Sequence, residues 1–122
     1  MRMWNIPPLL LCDQHLRGEH FEMHMFVGSI NKGVSIEGFI TKGLVDTRLI
    51  ASRHDALAKE MGIRKMNHDS PLIYEDKINR GSVGEVDSLC ELASRCAACR
   101  QRIILYGQVR PNRLPALRSS NA

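Results

Sequence analysis

A group of histidines and carboxylates lies near the start of this 122-residue chain. His20 and His24 are four residues apart, and Glu19 and Glu22 are three apart, so each pair shares one face of a helix. A partly buried glutamate beside imidazoles suits general acid or base catalysis, or stabilisation of a developing positive charge. A solvated helix face and a metal site at His20, His24 and Glu22 are the alternatives. Since the order is not the His-Glu-x-x-His of zinc proteases, we expect no metal here.

Cysteines form a second candidate cluster. Cys96 and Cys99 make a Cys-x-x-Cys pair, and Cys90 lies six residues before it. We expect these residues to be core thiols, the commonest outcome for such cysteines. A zinc site, with Cys12 or a histidine as a further ligand, and a redox pair are the alternatives, although redox chemistry usually needs a βαβ context that is missing. The sequence therefore predicts no bound metal and no cofactor.

A third constellation is Arg53, His54 and Asp55. Three consecutive residues of a helix point in three directions, so they cannot form a catalytic triad among themselves. Arg53 is suited to bind a phosphate or a carboxylate bidentately. No serine or cysteine stands with a histidine and an acid in a recognisable signature, and the glycines near position 82 match no nucleotide-binding loop. We expect neither a side-chain nucleophile nor a nucleotide site.

The net charge of +4 is unevenly distributed. From position 95 onward there is no acidic residue, but there are the arginines Arg95, Arg100, Arg102, Arg110, Arg113 and Arg118. A basic segment of this kind favours a polyanionic partner such as nucleic acid, because phosphate contacts release counterions; a frayed basic terminus that binds nothing is the alternative. No apolar run approaches the roughly 20 residues that span a bilayer, and no signal peptide is recognisable. We expect a cytoplasmic protein.

Helices must position these residues. Apolar side chains recur at helical spacing over residues 9–30, 46–62 and 82–105, the last with Val83, Val86, Leu89, Leu92, Ala93, Cys96, Cys99 and Ile103 inward. The glycine-rich residues 31–44 favour an irregular connection. The sequence predicts an all-α fold, with a single compact domain of three main helices over residues 1–107 and a loose, basic tail over residues 108–122.

Several motifs carry a resemblance to a known family. Asp13-Gln14-His15-Leu16, followed by Glu19 and Glu22, resembles the first helix of the pyrimidine-dimer DNA glycosylases, the phage endonuclease V family. A shorter phage and prokaryotic branch resembles the chain at Met1-Arg2-Met3-Trp4-Asn5-Ile6, at Gly18-Glu19-His20-x-Glu22-x-His24, and at Arg53-His54-Asp55-x-Leu57-x-x-Glu60-Met61 with His68-x-Ser70-Pro71-Leu72. The resemblance covers residues 1–72.

The resemblance implies a mechanism. In this family the α-amine of the first residue of the mature chain attacks the anomeric sugar carbon of the damaged nucleotide and forms an imine. β-Elimination then cuts the strand, and a glutamate of the first helix assists both steps. Ungapped matching puts these roles on Met1 and Glu22. Because α-amines are less basic than lysine amines, an appreciable neutral fraction exists at neutral pH. Methionine before arginine is normally retained, so we expect Met1 to be the true terminus.

The family also implies contacts with DNA, because the duplex must be kinked and a base extruded. Its best-known members carry arginines immediately before and three residues after the glutamate, where this chain has Phe21 and Met25. His20 and His24 are candidates to replace them as phosphate donors. The residues expected to bind DNA or to support the site are Arg2, His15, Arg17, His20, His24, Arg53, His54, Arg64 and Lys65.

The predicted function is therefore a DNA glycosylase with AP-lyase activity on ultraviolet-damaged, pyrimidine-dimer DNA. We expect a monomer that acts on double-stranded DNA without cofactor or membrane, in a bacterial host cell if a phage encodes it. A non-catalytic DNA-binding or interaction protein on the same fold is one alternative, favoured by the two missing arginines. A small protein that binds metal through its histidines or cysteines is the other.

Overall fold

The computed structural model describes residues 1–67 and 70–107, and this part of the chain is all-α, which confirms the predicted fold class. Five α-helices follow one another in these described residues: α1 (Asp13–Asn31), α2 (Glu37–Thr41), α3 (Ile50–Ile63), α4 (Glu85–Arg95) and α5 (Ala97–Gly107). The predicted tail over residues 108–122 and the motif residue His68 lie outside the described residues. None of the described helices has the length and apolar character needed to cross a lipid bilayer.

The boundaries of the first two long helices follow from local chemistry. Residues Pro8–Leu10 form a 3-10 turn, so α1 begins at Asp13 rather than near Leu9 as predicted. Cys12 caps α1, because its Sγ accepts the amide of His15. Asp46 caps the 3-10 turn Thr47–Leu49 that leads into α3, as a short acidic side chain at an N-cap should.

The core rests on the packing of α1 against α3. Leu16, Met23 and Phe26 of α1 and Ile50 and Leu57 of α3 are fully buried. The segment before α1 covers the same core with Met3, Trp4, Ile6, Leu10 and Leu11. Because this burial ties down the start of the chain, the N-terminus has a defined position next to α1 instead of fraying.

The prediction of one continuous third helix is wrong. α4 and α5 are separate, and Cys96 between them has extended backbone angles of φ −129° and ψ 109°. Val86, expected to face inward, is 65% exposed, whereas Leu92 and Cys99 are fully buried. The spacing of apolar residues does not reveal a break of one residue, since both helices keep a 3.6-residue period on either side of it. The predicted irregular connection over residues 31–44 contains the short α2.

Residues 70–84 have no helix and are held by polar contacts. The carboxylate of Asp76 accepts hydrogen bonds from the side chains of Tyr74 and Thr47 and the amides of Ile78 and Asn79. Gly81, with φ +98°, forms the bridge to Asp46, and a Cβ there would overlap the carbonyl of Val45. These contacts join the segment to the start of α3.

Candidate active site

The first residues of the chain run along α1 in register with two glutamates. The amide of Arg2 donates to Oε1 of Glu22 at 2.8 Å, and the amide of Trp4 donates to Oε2 of Glu19 at 2.9 Å. Amides two residues apart in an extended chain point to the same side, and side chains three residues apart share a helix face. The spacing of the two glutamates therefore matches the spacing of the two amides.

Met3 confirms the extended path and places the N-terminus. Its amide points the opposite way and donates to the carbonyl of Leu44 at 2.7 Å, and its side chain is fully buried. Met1 packs partly against the same core. The α-amine of Met1 is thus one residue away from the Arg2 amide, whose hydrogen bond Glu22 accepts.

Glu19 and Arg53 form a buried ion pair. Glu19 is 1% exposed, and the guanidinium reaches it bidentately, with Nε to Oε2 at 2.6 Å and Nη2 to Oε1 at 2.9 Å. The remaining Nη1 of Arg53 donates to the carbonyl of Ile6 at 2.6 Å. Both oxygens of Glu19 are therefore engaged in holding the structure. Glu22 is only half-buried and is the carboxylate next to the N-terminus that can meet a ligand.

The side chain of Arg2 turns toward α4 instead of toward solvent. It donates to Glu91 at 3.0 Å and to Ser88 at 2.8 Å, and its guanidinium lies 3.9 Å from the centre of the Trp4 ring. Burial lowers the pKa of Arg2, and the nearby carboxylate of Glu91 partly offsets this effect. Arg2 thus attaches α4 to the N-terminal segment, which is a supporting role.

His54 joins the two histidines that the sequence predicts to be neighbours. Its ring centre lies 4.6 Å from that of His20 and 4.8 Å from that of His24. One nitrogen of each ring lies within 4.8 Å of the others. His54 also contacts Asp55 through Nδ1 at 2.9 Å and the carbonyl of Ser70 through Nε2 at 3.0 Å. No sequence signal places His54 here, because the contact arises from the packing of α3 on α1.

This packing limits which histidines can reach DNA. His20 is 8% exposed and His54 is 2% exposed, so little of either ring is accessible from the surface. His24 is half-buried. It lines a shallow surface depression together with Arg17 and Phe21.

The solvent side of α1 beside Glu22 is apolar. Phe21 directly precedes Glu22 and is 63% exposed, and Met25 is 43% exposed one turn further on. One turn apart on the helix, the two side chains form a small exposed apolar patch. Together with Arg17, which is exposed, they form the face of α1 that is available to a ligand.

The other predicted basic residues divide into two groups. Arg64 is largely buried and joins the end of α3 to the start of α1 through Glu60, Asp13 and the carbonyl of Pro8. Lys65 is exposed in the left-handed turn after α3, with φ 62°. Whether Arg17 and Lys65 contact DNA stays a prediction.

His15 belongs to a different neighbourhood from Glu22. Its ring contacts Cys12 and Cys99, at the junction between the starts of α1 and α5. Cys96 completes this cluster, whereas Cys90 is exposed on α4. The predicted core position is therefore confirmed for Cys99, met only in part by the half-buried Cys96, and wrong for Cys90.

Comparison with protein families identifies the class of protein. Residues 1–74 match the family described as pyrimidine dimer DNA glycosylase, and the chain belongs to this family. The matched region contains the N-terminal segment, α1 and α3, and thus both glutamates and Arg53. No significant match is found among curated proteins or among solved structures. Membership makes the protein a DNA-repair glycosylase by class, with DNA as its substrate.

Proposed function

We propose that this protein cleaves pyrimidine-dimer DNA as a glycosylase with AP-lyase activity. In this proposal the α-amine of Met1 is the nucleophile and Glu22 is the assisting carboxylate. The observation that carries the proposal is the hydrogen bond from the amide of Arg2 to Glu22, because it holds the terminal residue beside a half-buried carboxylate. The proposal requires Met1 to be the first residue of the mature protein.

The chemistry proceeds in two stages. The neutral amine attacks the anomeric carbon as the bond from that carbon to the base breaks, and the electron pair of this bond leaves with the base. Opening of the sugar ring then produces an imine between the amine and the sugar. Loss of a proton from the neighbouring sugar carbon expels the 3′ phosphate, and water hydrolyses the imine to release the enzyme.

In this proposal Glu22 serves both stages. Its negative charge stabilises the cation that develops at the sugar during base loss. Its free lone pairs can then accept or relay the proton removed in β-elimination. Glu19 does not compete for these roles, since Arg53 and the amide of Trp4 use both of its oxygens.

Phe21 and Met25 suit a deformed duplex better than a regular one. Apolar side chains inserted at a base step unstack it and kink the DNA, and aromatic rings stack on exposed bases. Extrusion of a base is the step that exposes the sugar carbon to the amine. We therefore assign the face of α1 beside Glu22 to the lesion, with phosphate contacts from exposed cations such as Arg17.

Borohydride trapping tests this proposal. Untagged protein with a sequenced N-terminus is mixed with ultraviolet-irradiated duplex DNA and sodium borohydride, which reduces an imine to a stable amine. The expected result is a covalent adduct that peptide mapping assigns to Met1. Unirradiated duplex and protein with an acetylated α-amine are the controls and should give no adduct. An adduct at a lysine would overturn the nucleophile, and tight binding without any adduct would support a non-catalytic DNA-binding protein instead.

A further inference from the structure

We propose that Cys12, His15, Cys96 and Cys99 bind a single zinc ion. Their three Sγ atoms and one imidazole nitrogen lie within 4.8 Å of one another. The inference rests on these four side chains alone and is independent of the proposed catalytic chemistry. It also differs from the sequence-based expectation, which favoured core thiols.

The distances fit the size of a zinc coordination sphere. Cys12 Sγ lies 3.3 Å from Nδ1 of His15 and 3.9 Å from Sγ of Cys96, and Nδ1 of His15 lies 3.5 Å from Sγ of Cys99. Zinc bonds of about 2.3 Å to sulfur and about 2.0 Å to nitrogen, arranged as a tetrahedron, give ligand separations of about 3.5–3.8 Å. Three of the six separations thus match those of a tetrahedral zinc site, and the other three do not exceed 4.8 Å. Three cysteines with one histidine are a known structural zinc set.

Each of the three sulfurs also accepts a backbone N–H. The amide of His15 donates to Cys12 at 3.4 Å, that of Cys99 donates to Cys96 at 3.4 Å, and that of Cys12 donates to Cys99 at 3.2 Å. Such supporting hydrogen bonds orient the ligands in metal sites.

The two ligand pairs occupy equivalent positions at two helix starts. Cys12 is the N-cap of α1 and His15 lies in its first turn, while Cys96 directly precedes α5 and Cys99 lies in its first turn. The positive end of each helix dipole therefore faces the sulfurs and stabilises negative charge on them. The extended backbone at Cys96 is what brings Cys96 and Cys99 to one point, so the proposed site also explains the break between α4 and α5.

The cluster joins two distant parts of the chain. Cys12 and Cys99 are both buried. The ion would fasten α5, which lies beyond the family match at residues 1–74, to the start of α1 within it.

Metal analysis of the full, untagged protein tests the site. Protein produced with zinc in the medium and purified under reducing conditions should contain about one zinc ion per chain, as measured by elemental mass spectrometry. Cys90→Ser is the matched control and should retain the zinc, because Cys90 is exposed and outside the cluster. Cys99→Ser should lose most of it. Full zinc content in Cys99→Ser would overturn the proposal.

Cobalt substitution keeps the test decisive if Cys99→Ser does not fold. Wild-type protein stripped with a chelator and reloaded with Co²⁺ should give the intense visible bands of a tetrahedral ion and the near-ultraviolet charge-transfer band of cobalt–thiolate bonds. His24→Ala should leave this spectrum unchanged, since His24 belongs to the separate histidine group. A wild-type spectrum without the thiolate charge-transfer band would overturn the assignment. Loss of that band in His24→Ala would overturn it as well.

Discussion

The imidazole of His15 packs edge-on against the indole of Trp4, with ring centres 5.9 Å apart. Trp4 in turn donates its amide to Glu19 and carries the guanidinium of Arg2 on its ring. His15 therefore joins the proposed zinc site to the segment that positions Met1. Through this contact the C-terminal helices can support the N-terminus, although they lie outside the family match.

Glu22→Gln should lower strand cleavage of pyrimidine-dimer DNA by about 10²–10⁴-fold, the usual contribution of a positioned acid or base. Glutamine keeps an oxygen that can accept the amide of Arg2, so the N-terminus should stay in place and lesion binding should remain. Gel-based cleavage and binding assays on the same duplex measure the two effects. Glu75→Gln, an exposed carboxylate, is the control and should behave as wild type. Normal cleavage by Glu22→Gln would remove this residue from the mechanism.

One glycine added before Met1 should abolish cleavage. The extra residue moves the α-amine by about 3.8 Å along the chain and away from Glu22, while leaving every side chain unchanged. The matched control is one glycine added after Ala122, which should leave cleavage intact. Single-turnover cleavage assays, with intact-mass confirmation of each terminus, make the comparison. Full activity of the N-terminal extension would exclude the α-amine as nucleophile.

Arg53→Ala should destabilise the fold by about 3–5 kcal/mol, because it leaves the buried carboxylate of Glu19 without its cation. The control is Arg80→Ala, which removes an ion pair with Glu37 whose side chains are 50% and 51% exposed, and which should lower the free energy of unfolding far less because solvent screens exposed charges. Urea unfolding followed by circular dichroism measures both free energies. Equal losses in the two variants would contradict the structural role given to Arg53.

Phe21→Ala should weaken binding to a dimer-containing duplex by about 5–150-fold, the effect of losing about 1–3 kcal/mol of stacking on a base. Ile63→Ala is the control, since Ile63 is equally exposed but lies at the end of α3. Fluorescence anisotropy with labelled duplex at one fixed salt concentration gives the two affinities. If Phe21→Ala binds like Ile63→Ala, the face of α1 beside Glu22 does not hold the lesion.

Asp76→Asn should lower the free energy of unfolding by about 1–3 kcal/mol at neutral pH. The NH₂ group of asparagine would face hydrogen-bond donors, whereas both oxygens of the carboxylate accept hydrogen bonds from them. Burial alone would raise the pKa of Asp76, but its hydrogen bonds from Ile78, Tyr74, Asn79 and Thr47 outweigh this and lower it. A carboxyl with a lowered folded-state pKa stabilises the protein above its unfolded pKa, and this stabilisation is lost as the pH falls through the folded value. The difference in unfolding free energy between wild type and Asp76→Asn should therefore shrink in acid. A difference independent of pH would contradict the ionic origin.

Local patterns account for the parts of the structure that were predicted correctly. The periodicity of apolar residues predicted helices at the positions of α1 and α3, and the spacing of Glu19 and Glu22 predicted that they share a face. The predicted helix over residues 46–62 starts at Asp46, whose short acidic side chain caps the turn before α3. Each of these features depends on residues a few positions apart, whose relative placement the helix geometry alone determines.

Contacts between distant residues were decided only by tertiary structure. The helix period places His20 beside His24 but says nothing about His54, and it leaves open whether Arg53 meets a phosphate or Glu19. The break at Cys96 and the meeting of Cys96 and Cys99 with Cys12 and His15 have no signal in the local pattern either. These partners come together because α3 packs on α1, and α5 packs on the turn Pro8–Leu10 that precedes α1, to bury apolar surface; that packing depends on the whole core rather than on any one segment. The sequence by itself thus determined α1, α3, the family motif and its two glutamates, while tertiary packing decided where the last helix breaks and which side chains the helices bring together.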